Sequence, residues 1–380
     1  MTTPSSRYQL SCELVPPHSD DVKAVLAIND DLLASASRDS SVAIWKRTEH
    51  NQFNLAGLLN GHHAYVNSLA HIPANSDEED LLASGGNSSL ILLHSLSALD
   101  SESRACLIGH TLNVCALNYS QTRRKLISGS WDQTARVWSR ESGEWNCDLI
   151  LEGHDQAVWG VAIVEEGPKE GHYLTADRLI NLWNTNGELL LRIKGSPEPV
   201  RSLTMLPGGD TFASACNDGL IRIWDLSGSV LYTLRGHTDY AYHIALGPDG
   251  GLLSCGEDHT VRLWKDQSEY AVMLHPCQTV WSTSALPNGD VISGGSDGKV
   301  RVWSSAMERF AEEGIRNTYE RQVTDAMPND DAPAIPLVYS LDSDPRTAAE
   351  EFGRDYSLSD NYINQIEAFI KAHLEVARDG

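Results

Sequence analysis

The sequence predicts an all-β fold, a seven-bladed β-propeller, followed by a linker and a short C-terminal segment of two helices. The first observation is a seven-residue motif that runs from a turn-forming Asp to a Trp at the end of a strand, as in Asp132 to Trp138. It occurs seven times in all, in one degenerate copy and six clear ones, and the copies end at residues 45, 93, 138, 183, 224, 264 and 303. The intervals of 48, 45, 45, 41, 40 and 39 residues match the period of four-stranded propeller blades.

The second observation is a Gly-His pair ahead of most copies, with its His four residues before the Val or Ala that opens a new strand. These residues resemble the structural tetrad of WD40 blades, in which a His, a strand Ser or Thr, an Asp and a Trp are hydrogen-bonded. Because seven copies around a ring cannot converge on one point, we interpret them as structural rather than catalytic. The predicted tetrad residues are His110, Asp132 and Trp138, with Ser128 or Ser130, then His154, Asp177 and Trp183, and His237, Asp258 and Trp264. Blade 1 keeps His18, whereas Gly195-Ser196 and His275-Pro276 lack the pair.

The opening strand is predicted to close the ring. Residues 8–14 read as a strand, as do 105–108, 149–151, 189–193 and 230–234, which are fourth strands of their blades. No such strand follows residue 303. Strand 8–14 is therefore expected to complete the last blade, which removes the exposed sheet edge of an open array.

The second blade deviates most from the repeat. It has Asn87 for Asp and Leu93 for Trp, and an acidic insertion at 75–80 that we interpret as a solvated hairpin loop. Drift in a blade supported by two neighbours explains these changes better than a dedicated site.

Three segments follow from this pattern: a propeller at 1–304, an acidic, Pro-containing linker at 305–335 and a helical segment at 336–380. Residues 307–322 could form a short surface helix. Asp344 and Pro345 suit the start of a helix that stops near Gly353, and Ser359 or Asp360 caps a second one. Its apolar face consists of Ile363, Ile366, Ile370 and Leu374. Two short helices cannot bury a core of their own, so we expect this tail to dock, self-associate or bind a partner.

The composition limits the classes of partner. The net charge of −23, from 52 acidic and 29 basic residues, disfavours nucleic acid and membrane surfaces. Seven scattered cysteines suggest neither disulfides nor a zinc site, and we expect no metal or cofactor. The N-terminus lacks a signal-peptide pattern, so we expect a cytoplasmic protein, with access to the nucleus left open.

One motif matches the sequence pattern of a catalytic site. Gly294, Ser296 and Gly298 fit the nucleophile elbow of serine hydrolases, which requires a strand that feeds a helix. Here the following residues 299–303 read as a strand and Asp297 is the turn residue of the repeat. We therefore predict a protein that is not an enzyme.

Binding is better supported by the residues expected at one rim of the central channel. These precede each innermost strand, stand second in it, or precede the turn Asp, and aromatic residues of this kind concentrate at interface centres. An acidic fringe of Asp21, Asp155, Asp239 and Glu257 would suit a partner whose apolar patch is surrounded by Lys and Arg. Trp159 and Trp281 could instead pack between blades. The predicted partner-binding rim comprises Asp21, Lys23, Arg38, Tyr65, Trp131, Trp159, Arg201, Tyr240, Tyr242, Glu257 and Trp281, beside Asn67, Asn113, Ala157, Pro199, Asn217 and Ser296.

Several passages resemble the phospholipase-A2-activating protein family, whose members are ubiquitin-binding propeller proteins and cofactors of the AAA ATPase valosin-containing protein. They lie at 8–11, 34–39, 126–132, 216–221, 254–258 and 280–282, and in the tail at 335–338, 344–352 and 362–370. The resemblance implies that the rim, including Asp21, binds ubiquitin, alone or in chains. It also implies that the tail belongs to the ubiquitin-binding PFU domain and that the chain acts in ubiquitin-dependent protein turnover.

Two departures limit what the resemblance implies. The strands expected ahead of the tail helices are missing, and so is the helical-repeat (PUL) domain that binds the ATPase, so docking on the ATPase is not expected. A truncated gene model and a shortened paralogue explain both equally well. Two other hypotheses stay open: a general WD40 interaction platform, such as a ligase substrate receptor, with a non-ubiquitin partner, and a hydrolase at 294–298.

Overall fold

A computed structural model describes residues 7–49, 51–75, 78–99, 102–141, 143–327 and 344–355, together with 363, 364, 366, 367, 370 and 371. The chain divides into two compact units between residues 326 and 327. The first contains the propeller and the second the C-terminal helical residues.

In the described residues, 28 strands form seven four-stranded antiparallel sheets, which confirms the predicted propeller. The first strand is β1 (Gln9–Glu13). Blade 1 follows with β2 (Val22–Asn29), β3 (Leu32–Ser37), β4 (Val42–Glu49) and β5 (Gln52–Leu59), and blade 2 with β6 (Val66–Ile72), β7 (Leu81–Gly86), β8 (Ile91–Ser95) and β9 (Ala105–Leu107). Blade 3 has β10 (Val114–Ser120), β11 (Lys125–Ser130), β12 (Ala135–Glu141) and β13 (Glu144–Leu151), and blade 4 has β14 (Gly160–Ile163), β15 (Tyr173–Ala176), β16 (Ile180–Trp183) and β17 (Leu189–Ile193).

The remaining blades repeat this order. Blade 5 has β18 (Val200–Met205), β19 (Thr211–Cys216), β20 (Ile221–Asp225) and β21 (Val230–Leu234). Blade 6 has β22 (Ala241–Leu246), β23 (Leu252–Gly256), β24 (Thr260–Lys265) and β25 (Ser268–Leu274), and blade 7 has β26 (Val280–Ala285), β27 (Val291–Gly295) and β28 (Val300–Ser304). The innermost strand of each blade contributes residues to the wall of a central channel.

The ring closes as predicted. β1 pairs antiparallel with β28, with Gln9 opposite Ser304 and Glu13 opposite Arg301, and becomes the fourth strand of blade 7. The Glu13 carboxylate also accepts hydrogen bonds from Lys299 (2.8 Å) and Arg301 (2.9 Å). The first and last strands of the repeat region, which lie far apart in the sequence, are thus joined by backbone and side-chain hydrogen bonds.

The core lies between neighbouring blades. Ala213 and Ile223 of blade 5, for example, pack with Ile244, Leu252 and Trp264 of blade 6 in one buried cluster. A blade has two apolar faces, and each is covered only when the next blade stacks on it, so burial of these faces stabilises the ring as a whole.

The tetrad residues of blade 3 form a chain of hydrogen bonds. His110 contacts Asp132 (2.8 Å) and Ser128 (2.7 Å), and the indole of Trp138 donates to Ser128 (2.9 Å). Ser130 instead bonds the carbonyl of Leu112. Burial lowers the pKa of His110, which favours the neutral ring expected of a structural group.

The same chain recurs elsewhere, with one difference from the sequence analysis. His154 bonds Thr175 (2.7 Å) and lies 3.4 Å from Asp177, while Trp183 donates to Thr175; His237 bonds Ser254 and Asp258, and Trp264 donates to Ser254. In blade 7, His275 occupies the histidine position after all, because it bonds Ser293 (2.8 Å) although it stands five residues before its strand rather than four.

The acidic insertion of blade 2 differs from the predicted solvated loop in its described part. Glu78 forms an ion pair with Arg124 (2.5 Å) on blade 3 and lies 3.9 Å from Arg140. Glu79 contacts Arg104 at 3.0 Å. The insertion therefore links blade 2 to its neighbour, while Leu93 fills the Trp position in full burial.

Part of the predicted linker belongs to the propeller unit. Residues 313–326 form a helix, α1 (Glu313–Ala326), whose Tyr319 is buried against Trp303 with ring centroids 5.5 Å apart. The Tyr319 hydroxyl donates to the carbonyl of Leu274 (2.9 Å), and the Ala311 N–H donates to that of Leu10 (3.0 Å). The segment covers the blade that closes the ring.

In the second unit, α2 (Pro345–Asp355) begins at the predicted cap, where Asp344 accepts the N–H of Thr347 at 3.0 Å. Ala349, Ile363 and Ile370 are buried together, so the helical residues of the tail do share a small apolar cluster. The predicted cap of the second helix, Ser359 or Asp360, and Leu374 lie outside the described residues.

Candidate partner-binding rim

Six blades deliver their rim residues by the same local structure, whereas in blade 4 the innermost strand begins at Gly160, so Trp159 directly precedes it instead of standing second. In blade 6, Tyr240 directly precedes β22, Tyr242 is the second residue of that strand, and Glu257 follows β23. The Glu257 N–H donates to the Tyr240 carbonyl (2.9 Å), and a Cβ on Gly256 would lie 2.0 Å from that carbonyl oxygen. Glycine at 256 therefore permits the approach that sets both side chains at the rim.

Eight of the predicted rim residues line a channel cavity of about 670 Å³. The other three lie directly beside it, because Asp21 bonds Trp281, Glu257 bonds Tyr242, and the ring of Tyr240 meets that of Tyr242 at 6.1 Å. The eight are Lys23, Arg38, Tyr65, Trp131, Trp159, Arg201, Tyr242 and Trp281, joined in the wall by Asn67 and Asn113. Residues from all seven blades are thereby brought to one place.

Aromatic rings and cations alternate along this wall, and we call the eight residues that line it the cation–aromatic arc. Trp131 and Trp159 meet edge to face at 5.7 Å. The Arg201 guanidinium lies 3.8 Å from the ring centroid of Trp159 and 5.2 Å from that of Tyr242. Tyr242 in turn stacks on Trp281 at 4.7 Å.

The arc continues across the point where blades 7 and 1 meet. Lys23 lies over the ring of Trp281, 2.8 Å from its centroid, and Arg38 lies 5.3 Å from the same ring and 5.9 Å from that of Tyr65. Asp21 accepts a hydrogen bond from the Trp281 indole (3.0 Å) and pairs with Arg38 (2.8 Å). Trp159 and Trp281 thus pack between blades and line the channel at once.

Burial changes the acid–base properties of the arc. Desolvation, followed by the nearby charges of Arg38 and Arg201, lowers the pKa of Lys23 well below its ordinary value. Burial also lowers the pKa of Arg201, and it raises that of Tyr242, whose hydroxyl donates a hydrogen bond to Glu257. The side chains at the mouth of the channel are partly shielded from water, so a partner of opposite charge would stabilise the charged groups there.

Three apolar side chains protrude from this end of the channel. Tyr65 is 47% exposed, Trp131 46% and Leu112 51%. Leu112 was missed by the sequence analysis, although a signal existed. It stands two residues before its innermost strand, where blades 1, 2, 5, 6 and 7 have Asp20, Ala64, Glu198, Asp239 and Gln278.

The acidic fringe differs from its prediction. Asp155 is exposed, as are Asp20 and Glu198 in the same loops of other blades. Asp239 is only 5% exposed and accepts the N–H of Tyr240 at 2.8 Å, because its side chain turns back into the loop. Asp21 and Glu257 bind residues of the arc and add little free charge to the rim.

The hydrolase motif has the geometry of a repeat turn. Ser296 lies between β27 and β28, and its hydroxyl accepts the N–H of Thr279 at 3.1 Å. No group of metal-ligating side chains was found among the described residues. No helix in the described part of the chain has the length and apolarity needed to cross a membrane.

Comparison with known proteins agrees with this architecture. The family model for the WD domain, G-beta repeat, matches residues 10–46, 101–139, 187–225, 228–265 and 270–304. The matched segments leave out the first three strands of blade 2, which lacks the repeat Asp and Trp, and the first three strands of blade 4.

Two curated relatives and one solved structure are each about 35% identical to this chain over the aligned residues. The chain is 35% identical over 283 residues to the ubiquitin homeostasis protein lub1 of Schizosaccharomyces pombe, covering 74% of this chain and 37% of that protein. It is 35% identical over 167 residues to the phospholipase A-2-activating protein of Xenopus laevis, covering 42% and 20% respectively. The crystal structure of the WD40 propeller domain of Doa1 matches with a TM-score of 0.72 and 36% identity, over 80% of this chain and 99% of that one. The chain spans less than half of the length of lub1 and of the phospholipase A-2-activating protein.

Proposed function

Because this chain belongs to the phospholipase-A2-activating protein family of WD40 propeller proteins, we propose that it is a non-enzymatic adaptor of the ubiquitin pathway that binds ubiquitin through its channel rim. A relative named as a ubiquitin homeostasis protein supports the pathway. The ligand and the surface are our own inference.

The observation that carries the proposal is the group of exposed apolar side chains at the rim. Tyr65, Leu112 and Trp131 come from neighbouring blades 2 and 3 and are each about half exposed, and a group of exposed apolar residues bordered by polar ones is typical of an interaction surface. Exposed Asp20, Asp155 and Glu198 occupy the corresponding loops of other blades. This arrangement complements a partner whose apolar patch is surrounded by basic residues, as on ubiquitin.

A titration of isotope-labelled ubiquitin with the propeller tests the proposal. Resonances of the apolar patch of ubiquitin should shift, and Trp131→Ala should weaken binding about tenfold or more, since central aromatic residues often contribute about 2 kcal/mol. Ile150→Ala is the matched control, because Ile150 is 48% exposed but lies on the fourth strand of blade 3, away from the channel. It should bind like the unmodified protein.

Asp21→Arg gives a second test at the other end of the arc. The change breaks the bonds to Arg38 and Trp281 and reverses the charge beside them. We expect weaker ubiquitin binding with an unchanged fold. Shifts that are absent, or unaffected by both rim variants, would exclude ubiquitin as the ligand of this surface, and capture of another protein through Trp131 would then favour the general interaction platform.

A further inference from the structure

Two cations in the channel mouth are held only by aromatic faces. Lys23 lies over Trp281, and Arg201 lies between Trp159 and Tyr242. Among the described residues, neither side chain makes a hydrogen bond or an ion pair. Both are half-buried in the wall of the cavity, so water compensates them less well than it would at the surface.

The nearby carboxylates are already engaged. Asp21 binds Arg38 and the indole of Trp281, and Glu257 accepts the hydroxyl of Tyr242. Three basic side chains, Lys23, Arg38 and Arg201, lie beside these two carboxylates, and an entering anion would favour the charged form of Lys23, whose pKa burial lowers. The surrounding low-dielectric wall strengthens the field that an entering anion experiences.

The geometry also fits hydrogen bonding to an anion. Tyr242 and Trp281 stack at 4.7 Å, and Arg201 and Lys23 each rest on one ring of this pair. A guanidinium that stacks on aromatic faces keeps its N–H edge free to donate, and oxyanions accept two such bonds side by side. The ammonium of Lys23 supplies a second, point-like donor.

We propose that the mouth of the channel is a binding site for an oxyanion, a phosphate or a carboxylate, which Lys23 and Arg201 hold together. A cavity of about 670 Å³ has the size of small-molecule sites in proteins and admits either a free ion or the charged end of a larger ligand. The site goes beyond ubiquitin binding and does not rest on it.

Calorimetric titration of the full chain with inorganic phosphate, and separately with N-acetylglycine, tests the site. Saturable binding is expected for at least one of them, together with a change in tryptophan fluorescence because Lys23 lies on Trp281. Lys23→Met and Arg201→Met should each weaken it about tenfold or more, the loss expected for one charge-assisted hydrogen bond. Lys46→Met and Arg235→Met, which remove exposed cations elsewhere, are the matched controls and should bind normally.

The outcomes separate the sources of the anion. Binding of phosphate alone indicates a phosphorylated ligand, and binding of N-acetylglycine alone indicates a chain-end or side-chain carboxylate. Lys23→Arg should retain binding, which distinguishes the charge from the packing of the side chain. A thermal unfolding curve for each variant shows whether the fold is kept.

Two results would overturn the proposal. One is the absence of saturable binding of either anion. The other is binding that survives both Lys23→Met and Arg201→Met, since the ion would then lie elsewhere. Leu112→Ala, which changes no residue of the arc, should keep the anion site while weakening ubiquitin binding, so the failure of one proposal is distinguishable from the failure of the other.

Discussion

A tryptophan in this chain takes its role from its position in the repeat. In six blades the closing Trp is buried, and its indole donates to a strand Ser or Thr at 2.7 to 2.9 Å. Trp131 stands only seven residues before Trp138, yet it is 46% exposed against 2%. The repeat pattern predicts this difference, because residue 131 precedes the turn and residue 138 ends the next strand.

The tetrad histidines also take their role from their position in the repeat, and their burial changes their pKa. His62 bonds Ser84 at 2.8 Å in blade 2, where the partner Asp is replaced by Asn87. Burial is the main cause that lowers the pKa of His62 from 6.5 to about 4. The fold therefore favours the neutral ring, and the stability that it contributes is present above pH 6.5 and is lost as the pH falls towards 4.

Replacing His62 should make the free energy of unfolding less dependent on pH below neutrality. Between pH 7.5 and 5 the native protein should lose about 2 kcal/mol of unfolding free energy through His62 alone. His62→Gln should lack this part of the pH dependence, as measured by urea unfolding at both pH values. His63→Gln, next to it and exposed, is the control and should keep the full dependence; equal slopes for both variants would contradict the assignment.

At the scale of elements, α1 shows how a segment without repeat pattern becomes part of the propeller. Its Tyr319 covers the tetrad tryptophan Trp303, and Arg301 lies 5.5 Å from the Tyr319 ring. Arg309, just ahead of the helix, bonds Asp290 (3.0 Å), which is fully buried. Since these contacts join the segment to β27, β28 and the last tetrad, the helix reinforces the closing blade.

The contribution of α1 is measurable with two substitutions on the same helix. Tyr319→Ala should lower the free energy of unfolding by about 3 kcal/mol, because a buried ring and the hydrogen bond to Leu274 are both lost. Ile315→Ala removes an apolar side chain that is 53% exposed and should have little effect. Urea unfolding compares them, and similar values for the two variants would mean that the helix does not support the blade.

The strands were predictable because turn residues and alternating apolar positions lie next to one another in the sequence. β17 and β21 match their predicted bounds, 189–193 and 230–234. The docking of α1 on the propeller was not predictable. Tyr319 meets Trp303 and Leu274 only after the ring has closed, and the spacing of apolar residues in α1 is the same as in any amphipathic helix on a protein surface.

On the scale of the whole molecule, closure of the ring by β1 is the decisive event. β28 would otherwise present unpaired backbone groups along Arg301 to Ser304, and such edges pair with other chains. Tyr8 and Leu10 are also buried on this blade, at 4% and 3% exposure. The first strand β1 and the last strand β28 therefore stabilise each other.

A chain that begins at residue 15 should lose this closure, and one that begins at residue 7 should keep it. We expect the shorter chain to unfold at lower urea concentration and to form oligomers in size-exclusion chromatography, because the edge of β28 is free to pair. A monomer with an unchanged unfolding midpoint would show that blade 7 is stable with three strands.

The sequence by itself determined the number of blades, the strand that closes the ring and the positions that reach the channel rim, because all three follow from a local pattern repeated at a regular interval. Only the tertiary structure decided which rim residues touch. Asp21 and Trp281 are 260 residues apart and bond because the first and last blades become neighbours. The cation–aromatic arc and the turned-in Asp239 depend on side-chain directions and on packing across blades, and a repeat pattern carries neither.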